Sequence, residues 1–200
     1  MARVAVLASG NGSNLQALLD DPVVRPWIAL VVSDHEASGA LQRADAAGVG
    51  SIFLDPKAHP DREDYDRGLL NVLSVENIEY VALAGFMRIL SADVVRAFEG
   101  RLLNIHPSLL PSFPGAHAVR DAMQWGAKVT GVTVHLVDEE VDHGPIVVQE
   151  AIEVASDDDE ASLLERVHEV EHRLYPRALR ALVEGRLKVE GRVVHVLEDG

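Results

Sequence analysis

Three polar residues in the second half of the chain are of types that catalyse acyl transfer. Asn104 and His106 follow an aliphatic run and are two positions apart, so an extended backbone would place both side chains on one side. An amide and an imidazolium can both donate hydrogen bonds to one developing oxyanion. Taken alone, such a pair is more often structural: the histidine is hydrogen-bonded within a loop, beside an asparagine at the end of a strand. Asp142 strengthens the catalytic interpretation only if residues 138–144 fold over the same sheet edge, because an acidic turn is more often solvated.

A second candidate site is the segment Gly10-Asn-Gly-Ser-Asn14, which lies between an apolar run and a helical pattern. Free backbone N–H groups and the helix dipole attract an anion at such a position, which predicts a phosphate site. The simpler alternative is an Asn-Gly turn with a helix cap. A dinucleotide site is a weaker rival: Asp34 stands where a ribose-binding acid is expected, but Leu15 replaces the third glycine.

Metal and covalent chemistry are less well supported. The chain has no cysteine, which excludes disulfides, iron–sulfur sites and a catalytic thiol. Imidazole and carboxylate ligands could come from His106, His117, His135, His143 and Asp142, but these residues do not form the helical pair of a metalloprotease. There is also no Gly-x-Ser-x-Gly nucleophile elbow. We therefore expect no metal.

Alternating strands and helices must position these residues. Aliphatic runs predict strands at residues 3–8, 28–32, 52–54, 80–84, 102–105, 129–137 and 146–152, and helical patterns follow Asn14 and cover residues 39–47, 62–75, 92–98 and 116–125. Ser162 and Glu165 have capping-box spacing before a long helix that stops at Gly185, and a closing hairpin follows. The pattern predicts a doubly wound, mainly parallel, Rossmann-like α/β fold with ligands at the carboxyl ends of the strands.

Length and composition limit the class of protein. With 200 residues and 48% hydrophobic content, we expect a single domain over residues 1–200, with a phosphate-binding half to about residue 100 and a catalytic half from about residue 101. A net charge of −14 disfavours nucleic acid as a partner. No apolar stretch approaches about 20 residues and no signal peptide is recognisable, so we expect a cytoplasmic protein without a membrane partner.

Four motifs together resemble the folate-dependent formyltransferase family over nearly the whole chain. They are Ser9-Gly-Asn-Gly-Ser-Asn-Leu-Gln16, Ala84-Gly-Phe-Met-Arg-Ile-Leu90, Asn104-Ile-His-Pro-Ser-Leu-Leu-Pro111 and Asp142-x-Gly-Pro145. The first motif and the length are typical of the phosphoribosylglycinamide formyltransferase branch. The resemblance implies transfer of a formyl group from 10-formyltetrahydrofolate, as co-substrate, to the amine of glycinamide ribonucleotide in purine biosynthesis.

The resemblance also implies a role for individual residues. Asn104, His106 and Asp142 match the catalytic residues, with Asp142 keeping His106 protonated and relaying a proton through water. Residues that match the nucleotide site are Gly12, Ser13, Asn14, Gly85 and Glu171. Residues that match the folate site are Arg62, Met87, Arg88, Ile89, Leu90, Asn104, Val137, Asp138, Glu139 and Val141. His143, directly after Asp142, would be a second titratable group there.

Two other functions remain alternatives to this interpretation. A 10-formyltetrahydrofolate hydrolase would share the catalytic residues, but such enzymes usually carry an extra regulatory domain, as a methionyl-tRNA formyltransferase carries an RNA-binding domain. Neither addition fits in 200 residues. A non-catalytic nucleotide-binding module would keep residues 10–14 but would have no reason to bring Asn104, His106 and Asp142 together.

Overall fold

A computed structural model describes residues 1–198, which form an α/β fold with a mixed sheet of nine strands. The strand order is β3-β2-β1-β4-β5-β6-β7-β9-β8. The chain divides into two compact units, one covering residues 1–103 and the other beginning at Asn104. The α/β class predicted from the alternating pattern is confirmed.

The first unit holds the parallel part of the sheet. Its elements are β1 (Val4–Leu7), α1 (Ser13–Asp20), β2 (Ile28–Ser33), α2 (Gly39–Ala46), β3 (Gly50–Phe53), α3 (Arg62–Val75), β4 (Tyr80–Leu83) and α4 (Ala92–Ala97), with short 3-10 helices at Arg25–Trp27 and Pro56–Ala58. β1 pairs in parallel with β2 and β4, and β2 pairs in parallel with β3. All four residues of β1 are fully buried, as expected for a parallel strand covered on both faces.

The second unit is largely antiparallel. β5 (Leu102–His106) crosses the boundary between the units and is followed by α5 (Ala118–Trp125), β6 (Val129–Leu136), β7 (Ile146–Glu153), α6 (Glu160–Val183), β8 (Leu187–Glu190) and β9 (Val193–Val196). β6 pairs with β7 in antiparallel orientation, and β8 pairs with β9 as the predicted closing hairpin. β9 runs parallel to β7 at Ile146 and Val193. The sheet is therefore mixed, and its parallel character is concentrated in the first unit.

The start of α6 differs from the prediction. The N-cap is Asp159, whose carboxylate accepts the Ser162 N–H at 2.8 Å, while the Ser162 hydroxyl accepts the Asp159 N–H at 3.1 Å. Ser162 is thus the third residue of the helix and not its cap, because the carboxylate of Asp159 is a stronger acceptor one turn earlier. The helix ends at Val183, and Gly185 follows with a φ of 69°.

Over residues 1–198, none of the helices combines the length and the apolar character needed to span a membrane.

Candidate active site

The three predicted catalytic residues come together within the second unit. Asn104 and His106 end β5, and the turn between β6 and β7 carries Asp142. The Asp142 carboxylate lies 3.5 Å from the Asn104 amide nitrogen (Oδ1 to Nδ2) and 3.6 Å from the His106 ring (Oδ2 to Nδ1). His106 is only 5% exposed. The condition set by the sequence, that the acidic turn must fold onto the end of this strand, is therefore met.

Both ring nitrogens of His106 face hydrogen-bond acceptors. Nε2 lies 2.9 Å from the carbonyl oxygen of Phe113, and Nδ1 faces the Asp142 carboxylate. Since a carbonyl oxygen can only accept, Nε2 carries a proton, and a proton on Nδ1 is favoured by the carboxylate. The imidazolium is the form that satisfies both neighbours.

The proline-containing loop of residues 107–115 holds these groups through its backbone. Phe113 provides the carbonyl for His106, and the Gly115 N–H donates to Asp142 Oδ2 at 2.7 Å. Both loop residues have positive φ angles, 51° and 93°. Prolines at positions 107, 111 and 114 indicate only that this segment is a stiff loop, since backbone donors and acceptors leave no signal in residue types. The structure shows that the loop orients the histidine and the carboxylate directly.

A hydroxyl and an amide on the β6–β7 pair anchor this loop. Thr133 Oγ1 donates to the Ser108 carbonyl at 2.7 Å and accepts the Leu110 N–H at 3.1 Å. Gln149, opposite Thr133 in the ladder, donates to the Leu110 carbonyl at 2.8 Å. Sequence reasoning missed both residues, although a fully buried threonine between Val132 and Val134 is a polar residue that requires a partner.

The turn that carries Asp142 is shaped by one close backbone approach. Asp142 has a φ of 53°, and a Cβ at Gly144 would lie 1.8 Å from the carbonyl oxygen of Leu136. A glycine is therefore required in the Asp142-x-Gly144 motif. The predicted folate residues of this turn lie at or near the surface, with Val137 and Asp138 half-buried and Glu139 and Val141 exposed.

His143 does not contact the Asp142 carboxylate in the way its position suggested. Its Nδ1 lies 2.7 Å from Asp138 Oδ2, and Arg192, in the turn between β8 and β9, donates to its carbonyl oxygen at 2.5 Å. Through these two contacts, His143 links the acidic turn to the β8–β9 hairpin.

A fourth residue, His135, adjoins the catalytic group. Its Nε2 lies 3.1 Å from Asn104 Nδ2 and 3.9 Å from Asp142 Oδ1, and its ring is 1% exposed. The sequence suggested it only as a possible metal ligand. Over residues 1–198, the structure holds no group of three or more His, Cys, Asp or Glu side chains arranged to bind a metal.

The predicted phosphate loop lies in the first unit, between β1 and α1. Gly12 has a φ of 78° and a Cβ there would lie 2.8 Å from the Ala40 Cα, so only glycine fits. Arg43 braces the loop by donating to the Asn11 carbonyl at 2.9 Å and to its side-chain oxygen at 3.1 Å. No side chain among the described residues caps the start of α1 at Ser13, so the first amides of the helix are not used by a cap.

The first predicted folate segment, residues 87–90, follows β4 and is hydrogen-bonded to Ser9, which follows β1. The Ser9 N–H donates to the Gly85 carbonyl at 3.1 Å, and the Ser9 hydroxyl accepts the Met87 N–H at 2.9 Å. Met87 and Ile89 are exposed, Leu90 is half-buried, and the Arg88 guanidinium lies 4.4 Å from the centre of the Tyr65 ring. Arg62, the first residue of α3, is exposed. The structure thus presents these side chains on the surface of the first unit.

Glu171 lies on α6 in the second unit and is 5% exposed. Burial, together with the neighbouring charge of Glu171, raises the pKa of the Tyr175 phenol well above its usual value.

Comparison with known families identifies the chain. The model of the family described as "Formyl transferase" matches residues 2–179. The chain belongs to the formyl transferase family. The family predicted from the four sequence motifs is therefore confirmed.

Relatives of this formyltransferase are found in bacteria and animals. It is 39% identical to the phosphoribosylglycinamide formyltransferase of Bacillus subtilis, over 92% of this chain and 95% of the relative. It is 49% identical over 92% of its length to the trifunctional purine biosynthetic protein adenosine-3 of Drosophila melanogaster, but spans only 14% of that much longer protein. Among solved structures, glycinamide ribonucleotide transformylase 1 from Symbiobacterium toebii is 45% identical with a TM-score of 0.95, covering 99% of this chain and 95% of that one.

A bulky residue at position 12 is expected to damage nucleotide binding by this formyltransferase selectively. In Gly12→Val, the side chain would meet the Ala40 backbone and would require a strained positive φ, so the loop must move. The resemblance implies that the amides of this loop bind the phosphate of glycinamide ribonucleotide, so we expect this nucleotide to bind at least about tenfold more weakly. Isothermal titration with each substrate separately measures this effect. Equal weakening of folate binding would contradict a separate phosphate subsite.

Proposed function

We propose that the chain transfers the formyl group of 10-formyltetrahydrofolate to the amine of glycinamide ribonucleotide, giving formylglycinamide ribonucleotide and tetrahydrofolate. The observation that carries the proposal is the close grouping of Asn104, His106 and Asp142, which supplies a donor pair and a carboxylate for one acyl transfer. The names of full-length relatives at about 40% identity support the same activity.

The reaction balances without any further reactant. The amine nitrogen attacks the formyl carbon, a C–N bond forms, and the carbonyl electron pair moves to oxygen. The tetrahedral intermediate collapses when this oxygen returns its electrons and the bond from carbon to the folate nitrogen breaks. One proton leaves the attacking nitrogen and one reaches the leaving nitrogen, so that no net proton is consumed. We therefore propose that the chemistry requires no metal.

The second unit supplies the groups that this sequence of steps requires. The Asn104 amide and the His106 imidazolium donate to the oxygen as it becomes negative, which is the interaction that strengthens in the transition state. The Asp142 carboxylate faces both donors and accepts the proton of the attacking nitrogen through water. His106 Nε2 is held by the Phe113 carbonyl, so the ring cannot turn away from Asp142.

The binding residues proposed for each substrate are those that the resemblance names. For the nucleotide, we propose that Gly12, Ser13 and Asn14 bind the phosphate, that Gly85 lies near it, and that Glu171 binds the ribose hydroxyls. We propose that the folate is bound by Arg62, by residues 87–90 and by the turn from Val137 to Val141. Three exposed apolar side chains, those of Met87, Ile89 and Val141, and two arginines suit a flat heterocycle with an anionic tail.

The decisive experiment measures tetrahydrofolate release from 10-formyltetrahydrofolate with and without glycinamide ribonucleotide, in the presence of a chelator. We expect release only when the nucleotide is present, in equal amount to the formylated product. Release without an acceptor would indicate a hydrolase, and loss of activity with chelator would indicate a metal. Nucleotide binding with no release under any condition would indicate a non-catalytic module.

A further inference from the structure

The tautomer of His135 is determined by its two neighbours. Its Nδ1 lies 2.8 Å from the backbone carbonyl oxygen of Leu136. Because a carbonyl oxygen can only accept a hydrogen bond, Nδ1 must carry a proton. In a neutral ring with Nδ1 protonated, Nε2 presents a lone pair. The nearest group to this lone pair is the side-chain amide of Asn104, at 3.1 Å.

The surroundings of His135 keep the ring neutral. Burial lowers the pKa of His135, and this effect exceeds the opposite influences of the Leu136 carbonyl and of Asp142 and Asp138. The neighbouring His106 lowers the same pKa further. When His106 carries a positive charge, as its role in catalysis requires, a second charge on His135 is therefore disfavoured.

A lone pair on Nε2 dictates the orientation of Asn104. The amide can satisfy it only by turning its NH2 group towards His135, with one N–H donated to Nε2. The second N–H of the same nitrogen is then available on the side where Asp142 Oδ1 lies, 3.5 Å away. A proton on Nε2 would reverse the preference and draw the amide oxygen towards His135, which would displace the NH2 group that must donate to the reacting oxygen.

We propose that His135 is a positioning residue for the transfer: by accepting one N–H of Asn104 it fixes the amide with its second N–H available to the developing oxyanion. His135 itself does not touch the reacting atoms. The inference rests on the proposed function for its kinetic readout, whereas the tautomer on which it depends can be measured without any substrate.

Two substitutions separate positioning from a merely structural role. Asparagine at position 135 can replace Nδ1–H as the donor to the Leu136 carbonyl, but it is too short to reach Asn104. Glutamine places an oxygen acceptor where Nε2 stands but leaves the Leu136 carbonyl without its donor. His135→Asn should therefore be the more stable and the less active variant, and His135→Gln the less stable and the more active. If activity simply followed stability in the two variants, the proposal would be wrong.

The expected kinetic effect is confined to kcat. We expect His135→Asn to lower kcat about tenfold, the cost of a misaligned donor, while KM for both substrates changes less than about twofold. His135→Gln should recover most of this loss. In an Asn104→Ala background, His135→Asn should have no further effect on kcat, because the amide that it orients is absent. An undiminished tenfold loss in that background would overturn the proposal.

The tautomer provides the independent measurement. In protein labelled with nitrogen-15 at histidine, the Nε2 resonance of His135, assigned with His135→Asn, should have the shift of an unprotonated nitrogen at neutral pH. A protonated Nε2 would refute the orientation of Asn104 even if the enzyme proves active. Absence of formyl transfer by the wild-type protein, with Nε2 unprotonated, would instead count against the proposed function and leave the side-chain arrangement standing.

Discussion

Replacement of His106 by alanine is expected to lower kcat by at least about 10²-fold without loss of the fold. In the proposed mechanism the imidazolium is one of two donors to the developing oxyanion, and the loss of one such donor typically costs about 10²–10³ in rate. The ring is buried and its Nε2 lies 2.9 Å from the Phe113 carbonyl oxygen, so the substitution removes one internal hydrogen bond and we expect unfolding to remain cooperative. Steady-state kinetics with both substrates and thermal unfolding followed by circular dichroism measure the two effects.

The losses of kcat caused by substitution of Asn104, His106 and Asp142 should not be additive. Asn104→Ala and Asp142→Ala should each resemble His106→Ala, and a double variant should lose much less than the product of the single losses, since all three act on one transition state. His195→Ala is the matched control, because this histidine lies on β9 with its side chain 54% exposed. Near-normal turnover in a correctly folded His106→Ala protein would contradict the oxyanion assignment.

A single methyl group added at position 144 is expected to lower kcat almost as much as the replacement of His106 by alanine. In Gly144→Ala the new Cβ would lie 1.8 Å from the Leu136 carbonyl oxygen, a backbone atom that cannot rotate aside. The turn must therefore shift, and Asp142, two residues earlier, moves with it. Since a displacement of about 1 Å in a catalytic group can cost about 10²-fold in rate, we expect a loss of that size in kcat together with a lower Tm.

Gly185→Ala is the control variant, because it adds the same methyl group at a glycine where there is no close backbone contact. Gly185 has a positive φ, but a Cβ there would meet nothing within 4 Å, so the cost is limited to backbone strain of about 1–2 kcal/mol. We expect a lower Tm with unchanged kcat. Should Gly144→Ala also retain full kcat, the position of Asp142 would not depend on the close approach of the turn to β6.

The elements that carry a repeating apolar pattern were predictable from the sequence. The helix over residues 62–75 has the predicted bounds, and the strand at 102–105 extends by only one residue to His106. Burial on both faces demands the continuous aliphatic runs from which these strands were predicted. The proximity of Asp142 to Asn104 also followed from the sequence, through the resemblance of their motifs to one family.

Features that depend on backbone groups or on competition between similar residues were not predictable. Asp159 and not Ser162 caps α6, because both residue types accept hydrogen bonds from backbone amides and their order of preference depends on local geometry. The partners of His106 and Asp142 in the proline-containing loop are a carbonyl and an amide that every residue type possesses. The role of His135 depends on which of its nitrogens meets a carbonyl, and this is a property of the folded chain alone.

The use of main-chain atoms by this loop has a consequence for its evolution. Because Phe113 contributes its carbonyl oxygen and Gly115 its amide, the side chain at position 113 is free to change as long as the local backbone is preserved. The length of the loop is more constrained than its composition. Thr133 binds the loop at Ser108 and Leu110, so the number of residues from there to Phe113 and Gly115 must be kept. A deletion of one residue there would shift both contacts at once, uncoupling the histidine and the carboxylate together. Orthologous loops should accordingly drift in composition while conserving their length.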